Sequence, residues 1–290
     1  MTAFVTAGIV MGVLGIALSA ILALANSRFY VYEDPRIDKV EDLLPGANCG
    51  ACGQAGCRAF AEACVGDVAA PGGCTVSDAE GIKSIAKLLG VAAGAQIKRV
   101  ARLACAGGSH VAKQRAQYEG LEGCRAANLV SGGGKGCVWG CLGLGDCARV
   151  CDFDAITMDE HGLPVVDENL CTACGDCVDI CPKGLFSIHQ QDHRLWIACK
   201  NIAEGDEAEA ECEVACTACG RCVMDAPANA IRLENNLAVI DYTKNKRLDK
   251  TPMERCPTGA IIWYEKNKGP VKGKAAKKIT RKSSLPVGVD

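Results

Sequence analysis

Cysteine is the residue that most constrains this chain, because 21 of its 290 residues are cysteines and most of them lie in short runs. The clearest run has the pattern C-x2-C-x2-C-x3-C-P and consists of Cys171, Cys174, Cys177, Cys181 and Pro182. Bacterial ferredoxins use this pattern to bind one [4Fe–4S] cluster through the first three thiolates and a second cluster through the fourth. Zinc is the alternative metal, but structural zinc sites usually draw their ligands from two separated C-x2-C pairs. The spacing therefore favours an iron–sulfur cluster.

The rest of the composition agrees with a metal-filled interior. Aromatic residues make up only 4% of the chain, which has 33 glycines and a net charge of −2. With few large side chains available, we expect metal ligation to supply much of the folding free energy. An odd number of cysteines in tight runs is not typical of a secreted disulfide framework, and thiolates stay available to metals in a reducing compartment. The composition therefore indicates a cytoplasmic body.

The N-terminal segment, residues 1–27, is predicted to be a transmembrane anchor. It has no charged side chain, and about 20 apolar residues suffice to cross a bilayer as a helix. The first basic residues, Arg28, Arg36 and Lys39, all follow it, so the positive-inside rule places the body in the cytoplasm. A cleaved signal peptide is the alternative, since residues 23–25 read Ala-Leu-Ala. The segment lacks a basic start and exceeds a usual signal-peptide apolar region of about 7–15 residues, which favours the anchor.

The next segment, residues 36–90, is predicted to be a small domain with one [4Fe–4S] cluster. Three thiols lie in a glycine-rich loop and a fourth follows, giving the ligand set Cys49, Cys52, Cys57 and Cys74. This C-x2-C-x4-C-x16-C spacing is not that of a ferredoxin, so we expect a separate fold. Cys64 lies between ligands in a predicted short helix and is interpreted as a buried side chain. Ser77 and Glu80 form a capping box that predicts a helix ending at Leu89.

Residues 91–136 are predicted to be a linker, and residues 137–190 a two-cluster ferredoxin-like domain. A stretched ferredoxin run precedes the clear one, and a hairpin over residues 155–166 separates the two. Crossed ligation then gives two sets. One cluster is expected on Cys137, Cys141, Cys147 and Cys181, and the other on Cys151, Cys171, Cys174 and Cys177.

Residues 199–265 are predicted to be a second ferredoxin-like domain that retains one cluster. Cys216, Cys219 and Cys222 repeat the clear run, but Ala226 stands where its fourth thiol belongs. After a hairpin turning at residues 235–236, Cys256 appears alone before a proline. Crossed ligation explains this pattern, because one site keeps all four thiols, namely Cys216, Cys219, Cys222 and Cys256, while the other site loses all four together.

Five cysteines have no ligand spacing: Cys64, Cys105, Cys124, Cys199 and Cys212. A structural role is the default interpretation of Cys199 and Cys212. Cys105 and Cys124 are either buried thiols or a local pair, and neither alternative is assigned. Residues 266–290 form a basic tail that is predicted to be solvated, with anionic lipid or an acidic redox partner as the alternative. None of the four histidines belongs to a ligand-spaced group.

These motifs, together with Val31-Tyr32-Glu33-Asp34-Pro35-Arg36, Pro45-Gly46-Ala47-Asn48-Cys49-Gly50 and Cys141-Leu-Gly-Leu-Gly-Asp-Cys147, carry a family resemblance. From the anchor to about Tyr264 the chain resembles the RnfB family, the electron-transfer B subunits of Rnf-type ion-translocating ferredoxin:NAD+ oxidoreductases. The resemblance implies an α+β chain: a transmembrane helix, a small [4Fe–4S] domain and tandem bacterial-ferredoxin-like (βαβ)2 modules. The third cluster-bearing module departs from the family pattern and affects the expected cluster number.

The resemblance also implies a function. The chain would accept electrons from reduced ferredoxin through four [4Fe–4S] clusters, with about 16 irons, next to other membrane and peripheral subunits at the inner membrane. Na+ or H+ translocation would be coupled to this transfer, and NAD+ would be reduced on a different subunit. The chain itself has no G-x-G-x-x-G opening a helix and no nucleophile–base pair, so we expect no complete active site and no nucleic-acid partner.

Two other classes of function stay open at this point. The chain could be a membrane-tethered redox module that reduces an iron–sulfur transcription regulator, or a structural metal protein that does not conduct electrons. Copurification with membrane subunits and ferredoxin-dependent NAD+ reduction distinguish the complex subunit from the regulator. Redox-active EPR signals distinguish both from the scaffold.

Overall fold

A computed structural model describes residues 2–29, 32–266 and 268–288. Met1 of the predicted anchor, Val31 of the family motif, and Asn267, Val289 and Asp290 of the predicted tail lie outside these residues. The described fold combines helices with short antiparallel strands, so the predicted α+β class is confirmed.

The N-terminal segment forms one long helix, α1 (Thr2–Phe29). Its residues 4–29 are long and apolar enough to cross a membrane, and its most apolar stretch is not buried against the rest of the chain. Because large side chains such as Phe4 and Leu24 face outward, the helix needs an apolar environment that the chain does not supply.

The N-terminal module consists of α2 (Arg36–Asp42), α3 (Cys57–Val65), a helical turn (Pro71–Gly73) and α4 (Ala79–Leu89). Its small core contains Phe60 and Ile85, and Cys64 lies buried there, as predicted. The helix ending at Leu89 is confirmed, but its cap is Asp78, whose carboxylate accepts from the backbone N–H of Gly81 at 2.7 Å. The capping box predicted for Ser77 is therefore wrong by one residue.

The first ferredoxin-like unit, unit one, spans residues 99–190. Its elements are β1 (Arg99–Leu103), α5 (Cys124–Leu129), a helical turn (Ser131–Gly134), α6 (Asp146–Arg149), β2 (Ile156–Met158), β3 (Pro164–Val166), α7 (Asp176–Ile180) and β4 (Phe186–Gln190). Strands β2 and β3 form the predicted hairpin. The outer strands β1 and β4 pair antiparallel, with Arg99 opposite Gln190. Residues 91–136 are thus not only a linker, since they supply a strand and a helix to this unit.

The second ferredoxin-like unit, unit two, spans residues 195–272 and repeats this layout. Its elements are β5 (Leu195–Ile197), α8 (Gly205–Glu211), α9 (Arg221–Asp225), β6 (Ile231–Glu234), β7 (Leu237–Ile240), a helical turn (Tyr242–Arg247), α10 (Thr251–Glu254), β8 (Ile261–Glu265) and β9 (Gly269–Lys272). The predicted hairpin is β6–β7, and Asn235 and Asn236 have the positive φ angles, 48° and 58°, that such a turn requires. Strand β8 lies between β5 and β9.

The two units meet where the strands β1 and β5 run close together. The indole N–H of Trp196 on β5 donates to the carbonyl oxygen of Leu103 on β1 at 2.7 Å. Arg102, whose side chain is almost fully buried, forms an ion pair with Glu168 and places its guanidinium 3.7 Å from the ring centre of Tyr264. These buried contacts join the end of β1 in unit one to β5 and β8 in unit two.

The basic C-terminal residues lie on the body and are not a freely solvated tail. Strand β9 extends the sheet of unit two, and Arg281 forms an ion pair with Glu213 at 3.1 Å. The backbone N–H of Leu285 donates to the carbonyl oxygen of Ser109 at 2.9 Å. The prediction of a solvated tail is therefore wrong for these residues.

Candidate metal centres

Five pockets in the described part of the chain are each lined by four cysteines. We name them along the fold: pocket A (Cys49, Cys52, Cys57, Cys74), pocket B (Cys151, Cys171, Cys174, Cys177), pocket C (Cys124, Cys141, Cys147, Cys181), pocket D (Cys105, Cys137, Cys199, Cys212) and pocket E (Cys216, Cys219, Cys222, Cys256). None of these cysteines forms a disulfide. Cys64 lines none of the five pockets.

Pocket A is formed by the glycine-rich loop of the N-terminal module and brings together the four thiols predicted for it. Asn48 holds the loop, since its side-chain oxygen accepts from the backbone N–H of Cys57 at 2.8 Å at the start of α3. Gly56 lies so close to Asn48 that a Cβ there would be 2.9 Å from the side-chain oxygen. The backbone N–H of Ser77 points at the sulfur of Cys74, 3.4 Å away.

Pocket B is formed by the clear ferredoxin run and by Cys151 from the preceding run. The backbone N–H of Ala101 on β1 points at the sulfur of Cys171 at 3.4 Å, so the outer strand contributes a polar donor to this site. Pocket B adjoins pocket A, because the hydroxyl of Thr75 donates to the carbonyl oxygen of Thr172 at 2.8 Å and these residues line the two pockets.

Pocket C differs from its predicted ligand set by one cysteine. Cys141, Cys147 and Cys181 line it, as predicted, but the fourth thiol belongs to Cys124 at the start of α5. The start of α5 is held at this position by Asp146, whose carboxylate accepts from the backbone N–H of Arg125 at 3.3 Å. The structure does not bring Cys137 to pocket C.

Cys137 lies instead at pocket D, which the sequence did not predict. The other thiols there belong to Cys105, which was left unassigned, and to Cys199 and Cys212, for which a structural role was expected. The sequence signal that could have found them is a repeat. Cys105 and Cys199 each follow a strand and an alanine. Cys137 and Cys212 each lie four residues before a thiol of another pocket, Cys141 and Cys216.

Pocket E in unit two brings together the four thiols predicted for it. The backbone N–H groups of Ala218 and Ala238 donate to the sulfur of Cys216. Cys219 is solvent-exposed, whereas Cys222 and Cys256 are buried. The remainder of unit two, at α10, is filled by side chains, with Met253 only 2% exposed.

Three of these thiols favour the uncharged form without a metal, because burial opposes the thiolate. Burial raises the pKa of Cys177, of Cys141 and of Cys222 to about 12. A bound metal deprotonates a coordinating thiol outright and so overcomes this cost. The buried side chains are therefore suited to metal ligation and not to nucleophilic chemistry, which needs a lowered pKa.

The donor sets fit [4Fe–4S] clusters. Each pocket offers four thiols around a shared space, of about 320 Å³ in pocket A and about 380 Å³ in pocket C, open solvent included. Within the described ranges, no three or more His, Cys, Asp or Glu side chains form a group suited to one metal ion. Four thiols that line one shared space are the donor set that a multi-iron core takes.

Comparison with known proteins agrees with this geometry. Residues 44–76, which contain pocket A, match a family model described as "Putative Fe-S cluster". Residues 136–185 match a "4Fe-4S dicluster domain". The B subunit of the Na(+)-translocating ferredoxin:NAD(+) oxidoreductase complex of Acetobacterium woodii is 44% identical over 258 residues, covering 88% of this chain and 77% of the relative. The chain belongs to the family of B subunits of ion-translocating oxidoreductase complexes.

Two further members of this B-subunit family cover most of the chain. The B subunit of the ion-translocating oxidoreductase complex of Methanosarcina acetivorans is 40% identical and covers 80% of this chain and 88% of its own length. The B subunit of the proton-translocating ferredoxin:NAD(+) oxidoreductase complex of Clostridium ljungdahlii is 39% identical and covers 87% of this chain and 90% of its own length. The resemblance inferred from the motifs is therefore confirmed.

Proposed function

We propose that this chain is the electron-transfer subunit of a membrane-bound, ion-translocating ferredoxin:NAD+ oxidoreductase. The observation that carries the proposal is the series of four-thiol pockets in a chain that belongs to the B-subunit family. A [4Fe–4S] cluster bound in such a pocket takes up and releases one electron at a time. Two electrons from reduced ferredoxin, with one proton, would convert one NAD+ to NADH on another subunit.

Four of the pockets carry the proposed cluster sites of the domains predicted from the sequence. Pocket A serves the N-terminal domain, pockets B and C the two-cluster domain, and pocket E the second ferredoxin-like domain. The ligand sets are those given above, with Cys124 in the place expected for Cys137. The protein's own contribution is to fix the thiols, to direct backbone N–H groups at the sulfurs and to exclude water, which together set each reduction potential.

Helix α1 is proposed to anchor the chain in the inner membrane. Arg28, Arg36 and Lys39 follow the apolar segment, which favours the cytoplasmic side for the cluster-bearing body. Pocket A lies in the first module after this helix, so it is suited to pass electrons to membrane subunits. Pocket E has the exposed thiol of Cys219, which favours unit two as the docking site of a soluble ferredoxin.

The experiment that tests the function uses membranes that contain the complete complex. Replacement of a pocket B ligand, Cys174→Ser, should abolish ferredoxin-dependent NAD+ reduction and remove an EPR signal. The matched control is Cys64→Ala, a buried cysteine that lines none of the five pockets, and this variant should keep both. Unchanged NAD+ reduction in Cys174→Ser would contradict the proposal, as would zinc-containing, colourless protein after anaerobic purification.

A further inference from the structure

Pocket D has an internal two-fold pattern, because unit one and unit two each supply half of it. Cys105 lies two residues after the end of β1, and Cys199 lies two residues after the end of β5. Cys137 lies four residues before Cys141, a thiol of pocket C, and Cys212 lies four residues before Cys216, a thiol of pocket E. The two half-sites thus use the same positions of the repeated unit.

The hydrogen bonds to the sulfurs repeat in the same way. The backbone N–H of Cys141 donates to the sulfur of Cys105 at 3.4 Å, and that of Cys216 donates to the sulfur of Cys199 at 3.3 Å. Each of the four thiols also receives the N–H of the residue two positions later: Gly107 for Cys105, Trp139 for Cys137, Asn201 for Cys199 and Val214 for Cys212. Pockets B, C and E have the same local bond, at Cys174, Cys141 and Cys216.

Side chains around pocket D are also suited to a negatively charged group. Lys135 is buried, and its ammonium donates to the carbonyl oxygens of Gly107 at 2.5 Å and Cys141 at 2.6 Å. A buried ammonium is costly unless a negative charge compensates it, and four thiolates around a cluster core leave a net negative charge. Asn201 directs its side-chain N–H at the sulfur of Cys137, 3.6 Å away. The nearby carboxylate of Glu211 is itself paired with Arg115.

The absence of a side chain at Gly107 leaves room for the thiols of pocket D. A Cβ on Gly107 would be 3.0 Å from the sulfur of Cys212 and 3.7 Å from that of Cys105. The pocket contains about 330 Å³ of space between protein atoms, open solvent included, which matches pocket B. Pocket D therefore has the donors, the N–H groups and the space of the other four pockets.

We infer that pocket D binds a fifth [4Fe–4S] cluster, on Cys105, Cys137, Cys199 and Cys212, at the junction of the two ferredoxin-like units. The inference deepens the proposed function and rests on it. The backbone N–H groups of Cys141 in pocket C and of Cys216 in pocket E donate to sulfurs of pocket D. Pocket D therefore lies between pocket C of unit one and pocket E of unit two. One electron received from one neighbour would be passed to the other, so unit two would be joined to unit one by a bound carrier.

The test measures iron and acid-labile sulfide in the full chain, purified anaerobically in detergent. We expect about 20 irons and about 20 sulfides per chain, against about 16 without the fifth cluster. Cys199→Ser and Cys212→Ser should each lower the iron content by up to four and remove one and the same EPR signal. Cys64→Ala is the matched control and should keep all the iron.

A second variant keeps the test decisive if the ligand variants fail to fold. Asn201→Ala leaves all four thiols in place but removes one hydrogen bond to the sulfur of Cys137, so one signal should shift to a more negative potential while the iron content stays unchanged. A count of about 16 irons, with all signals unmoved by Asn201→Ala, would overturn the fifth site and leave the proposed function standing. Protein that contains zinc and no iron would overturn both.

Discussion

The two ferredoxin-like units have the same layout but fill their interiors differently. Unit one pairs its outer strands around two thiol pockets, and its core includes Cys147, Cys171 and Cys177 among the buried apolar residues. Unit two pairs its outer strands around one pocket, and Met253 is among the side chains that fill the rest. The comparison teaches that the fold needs a filled volume at each half, which either a cluster or a set of apolar side chains can provide.

Unit two lacks all four thiols of the second site that unit one has, so this half of unit two contains no cysteine left over from that site. Ala226 stands where unit one has Cys181 and is partly buried against the same core as Met253. Pro252 and Met253 on α10 are both buried, next to Cys256, which remains a thiol of pocket E. A cysteine left in that apolar half would have no partners, whereas methionine adapts its shape to an irregular space.

The largest expected effect concerns which cysteine completes pocket C. Cys124→Ser should remove the same EPR signal as Cys141→Ser, with a loss of up to four irons, because both thiols line that pocket. Cys137→Ser should instead remove the signal that Cys199→Ser removes. EPR of the reduced full chain, with an iron count for each variant, measures this. Loss of one common signal in Cys137→Ser and Cys141→Ser, with Cys124→Ser unaffected, would restore the ligand set predicted from the sequence.

A pocket could be predicted from the sequence when its cysteines lie close together along the chain. The thiols of pockets A, B and E lie within short runs, before a proline or, for Cys74, directly after Pro71-Gly72-Gly73, so the sequence pattern alone assembled them. Pocket C takes Cys124 from 17 residues before Cys141, across a turn whose length no motif records. Pocket D depends on contacts of β1 with β5 and β8, made by the buried Trp196 and Arg102, which no spacing records; its signal in the sequence is the repeated position of its four cysteines.

The strands show the same limit. Both hairpins were predicted because their partners adjoin in sequence, and asparagines mark the turn of β6–β7. Strand β1 pairs with β4, more than 80 residues away, and its sequence Arg-Val-Ala-Arg-Leu has no strong strand signal. Long-range pairing with β4, and not local preference, decides its conformation. The basic C-terminal residues were predicted as solvated for the same reason, since their partner Glu213 is distant in sequence.

The next effect tests whether apolar packing replaces a cluster in unit two. Met253→Ala should lower the free energy of unfolding by about 2–5 kcal/mol, because the side chain is almost fully buried and its removal leaves a cavity. Met224→Ala is the matched control, since that side chain is 69% exposed, and its effect should stay within about 0.5 kcal/mol. Chemical denaturation of the anaerobic holoprotein measures both. Equal effects of the two substitutions would show that the apolar half does not support unit two.

A smaller effect concerns the junction of the units and its pH dependence. Burial, and then the neighbouring His193 and Arg102, lower the pKa of His189 on β4 to about 4. The ring also lies beside Trp196 and Tyr242 of unit two. The pKa of His189 in the folded chain lies below the unfolded value of about 6.5. The contribution of the neutral ring to the free energy of unfolding is therefore full above about pH 6.5 and is lost as the pH falls toward 4.

The variant His189→Gln should therefore lose stability less steeply than the wild type between pH 6.5 and pH 4. Chemical denaturation at a series of pH values measures the slope, and the iron content at each pH shows that the clusters are retained. An exposed titratable group, changed in Glu119→Gln, provides the control for a general loss of charge and should leave the slope unchanged. Parallel slopes for wild type and His189→Gln would contradict the buried, neutral ring.

The smallest effect compares the same loop in the two units. Ala173 and Ala218 lie two residues after Cys171 of pocket B and Cys216 of pocket E. Their φ angles are 62° and 50°, a conformation that costs an alanine about 1–2 kcal/mol. Glycine removes this cost but loses about 0.4–1 kcal/mol through the freer unfolded chain, so Ala173→Gly and Ala218→Gly should each stabilise by up to about 1 kcal/mol. Ala228→Gly, at an exposed turn outside the positive-φ residues, should not stabilise. Denaturation measures the free energy of unfolding of each variant. Equal increases for Ala173→Gly and Ala218→Gly would show that the loops bear the same strain whether the unit holds one pocket of thiols or two. An increase in only one unit would mean that the side chains or thiols filling that unit reshape the loop.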